Sequence, residues 1–310
     1  MDLTIVIPLF NEDESIGELV SWISKVGEKM NIDYEAIIVD DGSTDKSWET
    51  LIELKQKFSF VKGIRFRRNY GKSAALNTGF NAASGDVVIT MDADLQDSPE
   101  EIPDLYKMIK EDNYDLVSGW KKKRHDPLSK RIPSKLFNRT TRWLSGIKLN
   151  DFNCGLKAYS LDLVKSIEVY GEMHRYIPVI AKNAGFDKIG EKVVQHQARK
   201  YGVTKFGLER VLRGYLDLMS ISFMTKFGKR PMHFFGGIGT LLSLVGILVL
   251  TYLSISKLFF DVPGISQRPL FYLGMLSIII GVQLFIAGFL AEMISRNTPN
   301  RNEYSIKETI

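Results

Sequence analysis

The feature that most constrains the fold is a pattern repeated in the first hundred residues, in which a short apolar, β-branched run ends abruptly in polar side chains. The runs are Leu3 to Ile7, Tyr34 to Val39, Val61 to Phe66 and Val88 to Met91. Helical periodicity follows the first three runs, in stretches that begin near Asp13, at Lys46 and at Ser73. Alternation of this kind predicts an α/β fold, with a mostly parallel sheet covered by helices on both faces.

Polar residues follow all four runs at the point where each strand is expected to end. In doubly wound sheets, ligands bind outside the carboxyl ends of the strands. Each polar position taken alone is also typical of a helix cap or a surface turn. Four successive strands that end this way favour a ligand site, with the candidate residues Asn11, Glu12, Asp40, Asp41, Lys72, Asp92 and Asp94.

Asp92 and Asp94 are separated by one residue directly after the fourth run. Side chains of a strand alternate, so both carboxylates leave the sheet on one side. Hard carboxylate oxygens suit Mg²⁺ or Mn²⁺, and such an ion bridges the phosphates of a nucleotide. An acidic pair after a strand is also a common surface turn. The polar residues at the ends of the other strands are what favour a metal site here.

Four motifs contain the polar strand ends: P-x-x-N-E at Pro8 to Glu12, V-D-D-G-S at Val39 to Ser43, G-K-x-x-A-L-N-x-G at Gly71 to Gly79 and D-A-D-L-Q at Asp92 to Gln96. Together these motifs resemble the nucleotide-sugar half of GT-A glycosyltransferases. Three later segments resemble the polyprenyl-phosphate glycosyltransferases of that fold, and they begin at Asp151, His174 and His196. In the last of these, Thr204 and Phe206 are conservative departures from the family pattern.

The resemblance implies a GT-A catalytic domain that transfers a sugar, with inversion, from a nucleotide donor to a membrane polyprenyl phosphate. The implied donor is UDP-linked, carrying glucose or a related sugar. The implied donor-binding residues are Pro8, Asn11, Glu12, Asp40, Asp41, Gly71, Lys72, Asp92, Ala93, Asp94, Arg199 and Lys205. The resemblance implies that Asp94 and Gln96, with Asp92, bind a divalent ion, Mg²⁺ or Mn²⁺. It also implies that the acceptor phosphate is bound by Arg124, Lys130, Arg131 and Ser134. Asp151 is placed at the reaction centre, either as a general base or as a residue that orients the acceptor.

The carboxyl-terminal third contains two long apolar stretches, Phe234 to Ser256 and Pro269 to Ile294, without a charge until Glu292. Each reaches the roughly 20 residues that a membrane-spanning helix needs. Buried core helices are the alternative. We therefore expect a catalytic domain at 1–205, an amphipathic helical region at 206–230, two spans within 231–295 and a tail at 296–310. The amphipathic helix lies either in the lipid headgroup layer or on the catalytic domain.

The flanking charges predict the orientation of these spans. Lys226, Lys229 and Arg230 precede the first span and Arg296 and Arg301 follow the second, whereas the connecting loop has Lys257 and Arg268 beside Asp261. The positive-inside rule then places the catalytic domain and both termini in the cytoplasm, in an inner-membrane protein. The start of the chain offers no signal peptide, and small residues in the spans permit a homo-oligomer.

A basic segment runs from Lys121 to Arg142 on a chain whose net charge is +5. It is interpreted as solvated surface or as cations for anionic headgroups and the acceptor. Nucleic-acid binding is not expected, because neither interleaved aromatic residues nor a nucleic-acid fold motif accompanies it. A processive polysaccharide synthase is an alternative function, although Arg139 to Trp143 lacks the glutamine of the Q-x-x-R-W motif. A non-catalytic membrane scaffold is an alternative of another class.

Overall fold

The computed structural model describes residues 1–122, 128–197, 230–260 and 264–296, and the isolated positions 200, 219, 220, 223 and 227. At 128–134, 136, 260 and 296 it describes the backbone alone. The chain separates into two compact units, Met1–Met219 and Ser220–Ile310. The expected amphipathic region and the tail lie outside the described residues, apart from a few isolated positions, so their limits stay predictions.

Strands and helices alternate through the first unit, as the sequence pattern predicts. The strands are β1 (Leu3–Leu9), β2 (Tyr34–Asp40), β3 (Val61–Arg65), β4 (Val87–Thr90), β5 (Leu116–Trp120), β6 (Lys157–Ser160) and β7 (Ile189–Val193). The helices are α1 (Asp13–Met30), α2 (Ser47–Lys57), α3 (Lys72–Ala82), α4 (Ile102–Lys110), α5 (Leu128–Ser145), α6 (Leu161–Ser166) and α7 (Ile177–Asn183). Short 3₁₀ turns precede α4 and α7, at Pro99–Glu101 and Met173–Arg175.

The strands form one seven-stranded sheet in the order β3-β2-β1-β4-β6-β5-β7. All neighbouring pairs are parallel except those of β6, which runs antiparallel to both β4 and β5. The chain moves outward from β1 to β3 and then returns to place β4 on the other side of β1. The carboxyl ends of β1 and β4 therefore flank the switch point, where open α/β sheets bind their ligands.

Side-chain alternation along the strands builds a core on each face of the sheet. Ile5 and Ile7 of β1 pack on one face with apolar residues of α1, α2 and α4. Val6, the residue between them, packs on the other face with residues of α3, α6 and α7. Period-two alternation thus accounts for both layers of helices, because each strand has apolar residues on both sides.

A buried carboxylate joins the strands at the end of the sheet opposite the switch point. Glu35 of β2 accepts hydrogen bonds from Thr4 Oγ1 and Ser84 Oγ, each at 2.7 Å, and pairs with Lys62 Nζ at 2.6 Å. Burial raises the pKa of Glu35, but the bonds from Lys62, Ser84 and Thr4 outweigh it and hold that pKa at about 2. The amino-terminal ends of β1, β2 and β4 are therefore tied together, and the carboxyl-terminal ends are left to form loops.

The second unit contains two long helices, α8 (Pro231–Phe260) and α9 (Pro269–Arg296), that pack antiparallel. A Cβ atom on Gly239 would lie 2.5 Å from the carbonyl oxygen of Gly281, and one on Gly246 would lie 2.5 Å from that of Gly274. Glycine at these positions lets the two backbones approach closely. Both helices are long and apolar enough to cross a membrane, and only 17% of the most apolar window in each is buried, which disfavours two soluble core helices.

Candidate active site

The loops that follow β1 and β2 are joined by hydrogen bonds. Asn11 adopts a left-handed backbone with φ of 53°, which asparagine tolerates. Its Oδ1 accepts from the backbone N–H of Thr44 at 2.9 Å, and its own N–H donates to Ser43 Oγ at 2.9 Å. The N–H of Glu12 donates to Ser47 Oγ at 3.0 Å. The Asn-Glu pair after β1 therefore fixes the loop that carries the V-D-D-G-S motif.

Asp40 and Asp41 face protein atoms in this arrangement. Asp40 is fully buried, accepts from the N–H of Ser43 at 2.9 Å and pairs with Arg65 Nε at 3.3 Å. Asp41 accepts from the backbone N–H of Tyr70 at 2.7 Å and of Gly71 at 2.9 Å. Burial raises the pKa of Asp41 above its ordinary value despite these two bonds. The second aspartate thus holds the turn at Gly71, where φ is +96° and glycine is favoured.

Lys72 is the first residue of α3, and its ammonium group pairs with Asp92 Oδ1 beyond the end of β4. Partial burial raises the pKa of Asp92, but the ammonium groups of Lys72, Lys121 and Lys157 outweigh it, so that pKa lies below its ordinary value. A Cβ atom on Gly155 would lie 2.5 Å from Asp92 Oδ2. The Asp92 carboxylate is therefore held between a cation and a backbone with no room for a side chain.

The two residues after Ala93 form a constrained turn. Asp94 is largely buried, and its Oδ1 accepts from the N–H of Gln96 at 3.1 Å. Leu95 has φ of 59°, a left-handed conformation that costs a bulky residue on the order of 1 kcal/mol. Packing of Leu95 in the core and a hydrogen bond from the N–H of Gln197 to the carbonyl of Gln96, at 2.9 Å, hold the turn in place.

A buried ion pair follows this turn. Asp97 Oδ1 lies 2.6 Å from Lys121 Nζ, with the two side chains 0% and 13% exposed. Burial lowers the pKa of Lys121, but Asp97 raises it further, so the lysine is firmly protonated. In the sequence, Lys121 begins a basic run that is interpreted either as solvated surface or as cations for headgroups and the acceptor. Lys121 lies directly after β5 at the edge of the sheet, where its pairing with Asp97 joins the D-A-D-L-Q turn to the start of the basic segment.

Cys154 and Lys157 lie behind Asp92. Burial raises the pKa of the Cys154 thiol to about 12, so the thiol is protonated at neutral pH and packs as an apolar group. Lys157 donates a hydrogen bond to the carbonyl of Cys154, and burial lowers the pKa of its ammonium group. The charges of Asp92 and Asp151 both raise the pKa of Lys157 against this effect, so this lysine is influenced by both carboxylates.

Asp151 is 1% exposed and lies in a loop with a fixed backbone. Its N–H donates to Glu191 Oε1 of β7 at 3.0 Å, and its carbonyl accepts from Ser118 Oγ of β5 at 3.1 Å. Its own Oδ1 accepts from the N–H of Asn153 at 3.1 Å, and the N–H of the intervening Phe152 donates to Asn138 of α5 at 3.2 Å. Two strands and a helix therefore position this one carboxylate.

The segment that begins at His174 docks onto the start of α3. Ser73 Oγ accepts from the backbone N–H of His174 at 3.1 Å and lies 3.1 Å from its ring Nδ1. The contact fixes the helix terminus that carries Lys72. Neither side chain was a candidate from its own sequence position, because their relation depends on a separation of about a hundred residues.

The candidate residues divide into three groups. The structure brings together Asn11, Asp41, Lys72, Asp92 and Asp94 at the carboxyl ends of the strands, with Pro8 in β1 and Ala93 buried beside them. Lys130, Arg131 and Ser134 lie on α5, whose side chains there are outside the described residues. Arg124, Arg199 and Lys205 also lie outside the described residues, so their roles stay predictions.

Within the described ranges, no three histidine, cysteine, aspartate or glutamate side chains form a cluster that could hold a metal ion. The candidate oxygen donors at this edge are the carboxylates of Asp92 and Asp94 and the amide of Gln96. Mg²⁺ is usually bound by one or two carboxylates together with substrate phosphates and water. The donor set therefore fits an ion that a diphosphate completes.

We predict that Lys121→Met destabilises the first unit by about 3–5 kcal/mol, because it leaves the buried carboxylate of Asp97 without its cation. Thermal and denaturant unfolding of the full chain measure this loss. The matched control is Lys122→Met, since Lys122 is exposed and its removal should change stability by less than about 0.5 kcal/mol.

Combining Lys121→Met with Asp97→Asn should cost less than the sum of the two single changes, because the double variant removes both charges. Equal stability of the Lys121→Met and Lys122→Met variants would show that the pair does not hold this part of the sheet.

Two kinds of known protein are similar to this chain. It is 38% identical to the dodecaprenyl-phosphate galacturonate synthase of Rhizobium johnstonii, over 96% of this chain and 88% of that one. It is 33% identical to the undecaprenyl-phosphate 4-deoxy-4-formamido-L-arabinose transferase of Photorhabdus laumondii, over 95% and 89%.

Among solved structures, glucosyl-3-phosphoglycerate synthase from Mycobacterium tuberculosis shares the fold. Its complex with Mn²⁺, UDP and glucosyl-3-phosphoglycerate superposes with a TM-score of 0.55 at 19% identity, covering 72% of this chain and 79% of that one. Its complex with Mg²⁺ and UDP gives the same values. The GT-A expectation for the fold is confirmed. Residues 4–167 match the family described as Glycosyl transferase family 2, and the chain belongs to glycosyltransferase family 2.

Proposed function

We propose that this chain transfers a sugar from a nucleotide-sugar donor to the phosphate of a membrane polyprenyl phosphate, with inversion at the anomeric carbon. The observation that carries the proposal is the meeting of two loops at the switch point, the donor-side loop of Asp92 and Asp94 and the loop of Asp151, with Gly155 against Asp92. The names of both curated relatives, a dodecaprenyl-phosphate synthase and an undecaprenyl-phosphate transferase, support this acceptor class.

On the donor side, the loops after β1, β2 and β3 form the pocket for the base and ribose. Asn11 and Glu12 shape it through the bonds to the β2 loop, and Asp41 through its bonds to the turn at Gly71. The side chain of Asp40 has no exposed surface, so it supports the pocket indirectly, by accepting a hydrogen bond from the N–H of Ser43. A UDP-linked donor is supported by the motif resemblance.

The diphosphate needs positive charge at the edge where Asp92 and Asp94 lie. A divalent ion, Mg²⁺ or Mn²⁺, held by Asp94 and Gln96 beside Asp92, would neutralise charge that develops on the leaving group. The chain's own contribution is the turn at Leu95, which fixes the Asp94 carboxylate, and the ammonium group of Lys72. Positive groups already in place stabilise a transition state without reorganisation.

Transfer should depend on this ion. Label from a radiolabelled UDP-sugar should appear in the lipid extract when undecaprenyl phosphate is supplied, and chelation should silence the enzyme until Mn²⁺ or Mg²⁺ is returned. Asp94→Asn should abolish transfer, because it weakens an oxygen ligand, whereas Asp112→Asn removes an exposed carboxylate after α4 and should keep full activity. Full activity in excess chelator contradicts the role of the metal.

The same extract distinguishes the alternative functions. Label in a polymer instead of the lipid would identify a processive synthase. Absence of transfer from every nucleotide sugar tested, with the fold intact, would identify a non-catalytic scaffold. The pairing of Lys72 with Asp92 and the rigid placement of Asp151 support a working catalytic centre, because a scaffold has no need to hold these charges together.

On the acceptor side, the nucleophile carries its own negative charge. A phosphate monoester has its second pKa near 6, so at neutral pH it needs little help from a general base. Asp151 then acts by orienting the acceptor, together with the cations of the segment that contains Arg124, Lys130, Arg131 and Ser134. The hydrogen bonds around Asp151 support this role, because they fix the carboxylate in one position.

The Asp151→Asn variant separates orientation from base catalysis. Orientation predicts that the KM for polyprenyl phosphate rises while binding of UDP with Mn²⁺ is unchanged. A fall in kcat of roughly 10²- to 10⁴-fold, constant from pH 6 to 9 and with unchanged acceptor KM, is the signature of a lost base. Steady-state kinetics for the acceptor and calorimetry with UDP and Mn²⁺ measure the two effects.

We further propose that α8 and α9 cross the cytoplasmic membrane and that the catalytic unit and both termini lie in the cytoplasm. The hydropathy of both helices and the excess of Lys and Arg outside the hairpin loop support this topology.

Thiol labelling tests this topology without background, because Cys154 is the single cysteine and is buried. Ser266→Cys should react with an impermeant reagent on intact cells, and Lys122→Cys only after lysis; labelling of both on intact cells contradicts the topology.

A further inference from the structure

Helix α5 has two faces of opposite character. Phe137, Asn138 and Thr141 are buried against the rest of the catalytic unit. One helical turn apart on the other side, Lys135, Arg139 and Trp143 are exposed. Because the spacing of these three residues is four, they form one continuous stripe, which we call the outer face of α5.

Trp143 is 81% exposed, more than any other large apolar side chain of the first unit that the structure describes. Full exposure of an indole ring leaves a large apolar surface in water. Tryptophan with this combination of an apolar ring and one N–H donor is enriched where a membrane meets water. A tryptophan of this kind at the end of a surface helix fits an environment that is apolar on one side and hydrated on the other.

The charges around Trp143 define the chemistry of that partner. Between residues 127 and 150 the sequence has six lysines and arginines and no acidic residue. Lys135, Arg139 and Lys148 are exposed, and Lys182 Nζ donates to the carbonyl of Ser145 at 3.1 Å, next to the end of α5. Each lysine or arginine near an anionic membrane adds to the electrostatic attraction between the protein and the lipids. A bilayer with anionic headgroups matches both the ring and the charges.

The same helix is hydrogen-bonded to the loop that carries Asp151. Arg142 Nε donates to the carbonyl of Leu149 at 3.0 Å, and its Nη2 donates to Asn150 Oδ1 at 3.2 Å. Asn138 accepts from the N–H of Phe152 at 3.2 Å. Residues on both sides of Asp151 are thus attached to α5, so a surface that fixes α5 also fixes the catalytic loop.

We propose that the outer face of α5 is a membrane-contact surface, with Trp143 inserted at the headgroup level and Lys135, Arg139 and Lys148 facing anionic lipids. Its place in the reaction rests on the proposed function, because a phosphate carried by a lipid lies at the depth of the headgroups. This contact places the Asp151 loop at the same depth. The helices α8 and α9 anchor a later part of the chain in the membrane.

Quenching of tryptophan fluorescence by brominated lipids tests this surface in the full chain. The four tryptophans are Trp22, Trp48, Trp120 and Trp143, and the segments of α8 and α9 contain none. Any quenching in nanodiscs with bromine high on the acyl chains therefore reports on the catalytic unit alone. We expect quenching in the wild type, its loss in Trp143→Phe and its retention in Trp22→Phe, the matched control.

Absence of quenching in the wild type, or equal quenching in Trp143→Phe, would overturn the proposal. If Trp143 were instead covered by a second copy of the chain, bromolipids would leave its emission unchanged and Trp143→Phe would shift the oligomeric state, which also overturns it.

A second arm examines the charges. Quenching should fall when zwitterionic lipid replaces anionic lipid and again when Arg139→Glu reverses one charge of the outer face. Equal quenching in both lipids would remove the electrostatic part of the proposal. The measurement needs neither donor nor acceptor, so failure of sugar transfer with intact quenching refutes the proposed function and leaves the membrane surface standing.

Discussion

The contact between the Asp92 carboxylate and the backbone of Gly155 is the constraint on which the rest of the site depends. Strand β6 runs antiparallel to β4, with Lys157 opposite Thr90, and Thr90 Oγ1 donates to the carbonyl of Gly155 at 2.8 Å. The chain that enters β6 therefore lies beside the chain that leaves β4. A parallel β6 would begin at the other end of the sheet, and the loop of Asp151 would be a whole strand length away. The one reversed strand therefore brings together the loops that we propose for the donor and for the acceptor.

The second constraint is the number of charges that this meeting point contains. Lys72, Lys121 and Lys157 act on Asp92, and Lys121 also pairs with the fully buried Asp97. Buried ion pairs of this kind contribute little net stability, because the cost of removing both charges from water offsets their attraction. Their value lies in geometry, since fixed cations next to the D-A-D-L-Q turn are in place before an anionic diphosphate arrives and need not reorganise during the reaction.

Local sequence patterns predicted the features that depend on local physics. The alternation of apolar runs with helical stretches predicted the strands, the helices and the edge where Asn11, Lys72 and Asp92 lie, because hydrophobic periodicity is set within a few residues. The direction of β6 was not predictable in this way, since a short apolar run reads the same in either direction. The pairing of Lys121 with the buried Asp97 was not predictable either, because a run of lysines and arginines gives no local sign that its first member is buried. The contact of Ser73 with His174 joins residues a hundred positions apart, and no local pattern carries that information.

Helix α5 links these features to the proposed acceptor side of the site. Asn138 and Arg142 of α5 are hydrogen-bonded to residues on both sides of Asp151, and the exposed side of the helix has a tryptophan and several cations. A soluble acceptor could reach Asp151 by diffusion, whereas a lipid phosphate is confined to a plane. For a lipid acceptor, the catalytic loop has to be held at a fixed height above that plane. A helix that contacts the membrane with one face and the catalytic loop with the other meets this requirement without a further element. Because an α-helix is rigid, the distance between its two faces is fixed.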